Sequence, residues 1–122
     1  MWNLTEQEIV DLMKKIGERL GYDHTSAPIF AEGREDVAVA KHTTEDGSSY
    51  GYDSVYVMWK NTDGSICYQK ILDTKISKDY LHIEEIPHVE DTELVATISS
   101  GGSFSGIPFK KTVRVRLDGL SS

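Results

Sequence analysis

The chain has 122 residues, of which 39% are apolar and 27% charged, and a net charge of −7. That length suits one domain around one core, and the composition is too apolar for a disordered segment. The acidity argues against a general grip on nucleic-acid backbones, and no apolar run approaches the ~20 residues of a membrane-spanning helix.

Residues Met1 to Glu6 carry neither a basic leader nor an apolar signal segment, and Cys67 is the only cysteine. A cytoplasmic location and the absence of an internal disulfide are the expectations. Cys67 itself reads as a small apolar core residue.

The first element expected is one amphipathic helix over residues 5–20. Ile9, Leu12, Met13, Ile16 and Leu20 recur at three- and four-residue spacing and form a single apolar stripe. Thr5 and Glu8 have the spacing of a capping box, and Leu4 and Ile9 that of a hydrophobic staple. Gly21 stands where a left-handed residue commonly ends a helix. The stretch Asp23 to Asp36, with Pro28 and Gly33, has no sustained period. Two readings stay open there: a short edge strand at Pro28 to Ala31, or a segment laid over the core on Ile29 and Phe30.

From Val37 the apolar period falls to two. Strands are expected at about 37–41, 50–60, 65–73, 80–86, 93–99 and 108–118, with a polar loop over His42 to Ser49. The run 77–86 also has helical spacing through Ile76, Tyr80 and Ile83, and Pro87 closes it. Asn61-Thr62-Asp63-Gly64 separates two runs rich in β-branched and aromatic residues and marks a hairpin, because Gly64 can take the positive φ that such a turn needs. Short connections and the lack of a second long helix favour antiparallel pairing. The fold class expected is α+β: one N-terminal helix on a curled, mainly antiparallel meander of about six strands, forming a single domain over 1–122.

Hairpin register decides which side chains share a face. A type I turn with a bulge at Gly64 sets Asn61 opposite Ser65, Trp59 opposite Cys67, Val57 opposite Gln69 and Val55 opposite Ile71. That face is largely apolar and is expected to receive the helix, with Met13 and Trp59 lining any pocket between the layers. The other face carries Tyr52, Tyr56, Met58 and Lys60 beside Ile66, Tyr68 and Lys70. Tyrosines bordered by Lys60 and Lys70 suit a planar ligand, a peptide aromatic or an unpaired base; equally, the same tyrosines can cover a second core.

A second constellation lies at His82-Ile83-Glu84-Glu85-Ile86-Pro87-His88-Val89-Glu90. Imidazole and carboxylate at alternate positions of an extended chain can converge on zinc, manganese or iron, which makes His82, Glu84 and His88 the candidate metal ligands. As an edge or turn, the same run would simply be solvated charge that opposes edge-to-edge pairing.

The remaining features offer less chemistry. Ser99 to Gly106 is rich in serine and glycine but lacks the lysine and following helix of a phosphate loop. The acidic pairs Glu35-Asp36, Glu45-Asp46, Glu84-Glu85 and Glu90-Asp91 are adjacent, so in strands their members point apart. His24 and His42 fall in segments read as polar loops. Lys110, Lys111, Arg114 and Arg116 crowd the last strand, where they read as its outward face paired with acidic neighbours.

No nucleophile, cofactor loop or strong metal spacing is assembled. The expectation is a non-enzymatic binding domain without a cofactor, using the tyrosine face or an exposed sheet edge to take a protein, peptide or small molecule, or to form a homodimer. The alternative is a small metal-dependent protein or enzyme using the His82–Glu90 segment.

Overall fold

A computed structural model describes residues 3–17, 22–25, 28–45, 51–73, 81–100 and 110–118. Among these residues are helix α1 (Glu6–Gly17) and nine strands: β1 (Tyr22–Thr25), β2 (Ile29–Phe30), β3 (Val37–Glu45), β4 (Gly51–Lys60), β5 (Ile66–Asp73), β6 (Leu81–Ile83), β7 (His88–Glu90), β8 (Glu93–Ser100) and β9 (Lys110–Arg116). All strand pairs are antiparallel. No described helix is long and apolar enough to cross a membrane.

The strands form two sheets, where the sequence suggested one curled meander of six. The first runs β1-β3-β4-β5, with β2 also on β3, and the second runs β6-β8-β7, with β9 on the other side of β8. Strict alternation of side chains then gives the first sheet two apolar faces. Val37 and Val39 of β3, with Val55, Val57 and Trp59 of β4, face Leu94, Ala96 and Ile98 of β8 and Val115 of β9 in one core that both sheets share. On the opposite face Ala38, Ala40, Tyr56 and Met58 meet Leu4, Ile9 and Met13. The layers are therefore helix, sheet, sheet.

The helix covers the face that holds Tyr56 and Met58, the reverse of the sequence expectation. Alternation tells which residues travel together, but both faces of β4 are apolar. The two small side chains of Ala38 and Ala40 on β3 leave room for a helix to approach the backbone, whereas Val37 and Val39 behind them suit sheet-on-sheet packing. Met13 and Trp59 consequently belong to different cores and line no common pocket.

Local signals hold where they were explicit. The Thr5 amide donates to Glu8 Oε1 (3.0 Å) and the Glu8 amide to Thr5 Oγ1 (3.1 Å), completing the capping box. Leu4 and Ile9 are both buried beside it. Residues 18–21, where the helix was expected to end, lie outside the described residues.

The segment after the helix supplies two edge pieces on β3: β2, as one of the two readings had it, and β1, which was not foreseen. His42 to Glu45 extend β3 instead of starting a loop, because β1 and β4 pair with them on either side. His24 and His42 accordingly sit in strands, and His42 is buried on the helix side. Among the described residues β6 spans Leu81–Ile83, the expected strand start at residue 80 lies outside them, and a separate strand β7 follows Pro87. The serine- and glycine-rich segment Ser99 to Gly106 lies mostly outside the described residues.

Candidate functional site

The β4–β5 hairpin closes as its turn residues require. The Gly64 amide donates to the Asn61 carbonyl (3.0 Å), the Asn61 amide to the Ser65 carbonyl (2.8 Å), and Gly64 takes φ of 87°. Asp63 caps the turn: its carboxylate accepts from the Ser65 hydroxyl (2.6 Å) and amide (2.9 Å), and those two bonds hold its pKa below the usual carboxylate range. Trp59 lies opposite Cys67, Val57 opposite Gln69, Met58 opposite Tyr68 and Tyr56 opposite Lys70. Beyond this the register slips, so Val55 meets Leu72 and not Ile71. Ile71 is the extra residue of a β-bulge, which ends the regular part of β5 at Lys70.

This register fixes the direction of every backbone group in β5. Hydrogen-bonded and non-hydrogen-bonded pairs alternate along an antiparallel ladder. Starting from the bonded pair Asn61/Ser65, the next bonded pairs are Trp59/Cys67 and Val57/Gln69. The amides and carbonyls of Ile66, Tyr68 and Lys70 therefore point away from β4, toward the outer edge of the sheet. Among the described residues no strand pairs with that edge.

The Tyr-rich face divides at this point. The Tyr56 ring is 8% exposed and belongs to the core under the helix, while Tyr68 is 50% exposed. Their centroids are 6.4 Å apart at 54°. The helix lies over β3 and β1, so it shelters Tyr56 and stops short of Tyr68. Tyr52 is in β4, but its side chain lies outside the described residues. Lys70 is exposed.

Lys60 is committed elsewhere, with its ammonium 2.5 Å from Glu8 Oε2 and 3.4 Å from the Asn3 carbonyl. The Lys60 contact, then the Thr5 amide, holds the Glu8 carboxyl below the ordinary glutamate range. Of the two tyrosines whose side chains are described on this face, Tyr68 is the exposed one, on a strand edge with which no described strand pairs.

Cys67 is half-buried against the inter-sheet core and accepts a hydrogen bond from Asn61 Nδ2 (2.9 Å). The start of β3 and the end of β4 are joined by the Lys60 amide, which donates to the Asp36 carbonyl (2.9 Å), while the Arg34 guanidinium grips the Asp36 carboxylate through two bonds (2.9 and 3.0 Å). Asp36 raises the Arg34 pKa. These contacts tie the backbone and side chains of neighbouring segments together.

The candidate metal ligands are not brought together. His82 lies opposite Ser99 and His88 opposite Val95, four residues apart on β8, a separation of about 13 Å along a strand. Glu84 turns back to accept a hydrogen bond from the Ser99 hydroxyl. His88 instead approaches Glu90 (3.4 Å), which also receives Arg114 (3.1 Å), and both contacts hold the Glu90 carboxyl below its usual range. Pro87 and the break between β6 and β7 separate the two halves of the motif. Among the described residues no group of three or more His, Cys, Asp and Glu side chains could hold a metal ion. Arg114 also reaches Glu93 (3.9 Å), and Arg116 reaches Asp118 (3.2 Å), so these two arginines of the last strand meet acidic neighbours as expected.

No protein-family model matches the chain, and no curated protein and no solved structure matches it either. The reading of the site rests on its own geometry.

Proposed function

We propose that the protein is a small non-enzymatic interaction domain that binds an extended polypeptide by adding it as a strand to the outer edge of β5. The observation that carries this reading is the orientation of Ile66 and Tyr68, whose backbone groups face an edge with which no described strand pairs. Main-chain bonds supply the affinity in such complexes, and side chains at alternate positions supply the selectivity. Tyr68 is placed to contribute a large aromatic contact beside the added strand, with Lys70 next to it on the same face.

The other edges are less suited to this role. β1 and β2 are short and break one edge of the first sheet, and β6 and β7 do the same for the second. β9 is long, but four of its seven residues are Lys110, Lys111, Arg114 and Arg116, a density of charge that guards an edge. β5 has eight residues, of which only Lys70 and Asp73 are charged.

The test is an amide-resolved NMR titration with a short soluble peptide of alternating threonine and valine. Binding should shift the amides of Ile66 and Tyr68 first. Shifts confined to other strands, or none at millimolar peptide, would refute the reading.

A further inference from the structure

β9 is the outer strand of the second sheet, and its ladder with β8 settles which way its backbone points. The Leu117 amide donates to the Thr92 carbonyl (2.9 Å), one step beyond the pair Glu93/Arg116. Counting from that bonded pair, Leu94/Val115, Ala96/Val113 and Ile98/Lys111 are bonded as well. On the far side of β8 the Glu84 amide donates to the Thr97 carbonyl (2.9 Å), which agrees with this phase. The amides and carbonyls of Lys110, Thr112, Arg114 and Arg116 therefore point away from β8, toward the outer edge of the sheet. Among the described residues no strand pairs with that edge. The described side-chain contacts of β9 are the Thr112 hydroxyl with that of Thr97 (3.3 Å), Arg114 with Glu90 and Glu93, and Arg116 with Asp118.

The charge on this edge is of one sign. Four of the seven residues of β9 are cations and none is acidic, in a chain whose net charge is −7. Lys110 and Lys111 are exposed and form no ion pair among the described residues. Such an edge repels a second copy of itself, and a neutral strand laid along it takes water from the ammonium groups without replacing it. An acidic strand reverses both effects, so the guard is selective in sign.

Side-chain parity dictates the rest of the pattern. Lys110, Arg114 and Arg116 stand on the outer face, opposite Ser99, Val95 and Glu93. Val115 is buried in the inter-sheet core and Val113 packs against it. A strand added to this edge shares that parity. Its acidic residues belong opposite the three cations and its apolar residues opposite the two valines.

We propose that the outer edge of β9 takes an extended acidic polypeptide, its carboxylates alternating with aliphatic side chains, as an added antiparallel strand. Main-chain bonds to Lys110, Thr112, Arg114 and Arg116 hold it, and the cations select it. This edge is separate from that of β5, and the proposal does not depend on the reading of β5.

An amide-resolved NMR titration with the peptide Glu-Val-Glu-Val-Thr-Val-Glu tests this. In antiparallel register its glutamates meet Arg116, Arg114 and Lys110, and its threonine meets Thr112. The amides of those four residues should shift together. The peptide Glu-Glu-Glu-Thr-Val-Val-Val, of the same composition without the alternation, should bind about tenfold more weakly or worse. Lys110→Glu, at an exposed position, should keep the wild-type circular dichroism spectrum and weaken the alternating peptide by about tenfold. Thr112→Pro removes an outward amide, which an edge strand tolerates, and should weaken it at least as much.

Equal binding of the two acidic peptides overturns the proposal, because charge alone would then account for it. So does equal binding of the threonine–valine peptide at β9, which would make the cations irrelevant. An unchanged affinity in Lys110→Glu, or no shift in β9 at millimolar peptide, overturns it as well. Shifts at Ile66 and Tyr68 in place of β9 would move the acidic peptide to the other edge, ending this proposal and leaving strand addition at β5 intact.

Discussion

Replacing Thr92 with glycine should stabilise the fold. Glu90 pairs with Glu93, so Asp91 and Thr92 form a two-residue turn, and both have positive φ, 49° and 65°. This is the type I′ geometry that matches the twist of a hairpin and normally carries asparagine and glycine. Aspartate tolerates it, but threonine is β-branched and an outlier there. An L-residue held in this region costs about 1–2 kcal/mol, and threonine belongs at the upper end. Glycine removes that cost and gives back roughly 0.5–1 kcal/mol in backbone entropy.

The Thr92 carbonyl accepts the Leu117 amide (2.9 Å), a backbone contact that survives the change. The net gain expected for Thr92→Gly is about 1 kcal/mol, or a rise of roughly 3–5 °C in Tm for a chain of this size. Thermal unfolding followed by circular dichroism is the assay, with Thr112→Gly on β9 as the control. That position is in a regular strand, so its glycine should lower Tm. If Thr92→Gly lowers Tm as much as the control, the turn is not strained and the reasoning fails.

Met58 is fully buried beneath the helix, so Met58→Ala should cost about 2–4 kcal/mol in urea unfolding, while Tyr68→Ser on the open edge should stay within about 0.5 kcal/mol. Equal losses at the two sites would contradict the layer order. Lys60→Met should remove the largest cause of the lowered Glu8 pKa, leaving that of Thr5, and destabilise by up to about 1 kcal/mol at neutral pH, a modest figure because Glu8 is one-third exposed. The folded-state pKa of Glu8 is depressed, so its contribution is present above the unfolded value and is lost as pH falls through the folded one. The gap between wild type and Lys60→Met should therefore close on acidification. A gap that widens in acid would rule out the Glu8 contact as its source.

The parts of the fold that were legible carry their instructions in neighbouring residues. Thr5 and Glu8 announce the helix start, and Asn61 to Gly64 announce the hairpin together with most of its register. β7 was hidden because it has three residues, follows a proline, and turns through Asp91-Thr92 without the glycine that would signal a type I′ turn. β1 and the far half of β3 were hidden because Asp23, His24, Thr43 and Thr44 are polar, and their strand character comes from pairing with each other.

The site was half legible for a related reason. Tyr56 and Tyr68 share a face by alternation, which sequence can show. That a helix seated over Ala38 and Ala40 buries one and stops short of the other is a property of packing between elements far apart in the chain. His82, Glu84 and His88 share parity in the same way, yet pair with positions on β8 four residues apart.

Amide hydrogen exchange across Ile66 to Gln69, measured with and without the threonine–valine peptide, tests the central claim most directly. In the free protein the amides of Ile66 and Tyr68 should exchange fast while those of Cys67 and Gln69, bonded to β4, exchange slowly. Adding the peptide should slow the first pair and leave the second unchanged. Uniform protection of all four in the free protein would mean that the edge is already closed. Fast exchange at Ile66 and Tyr68 in protein saturated with peptide would mean that the peptide binds elsewhere.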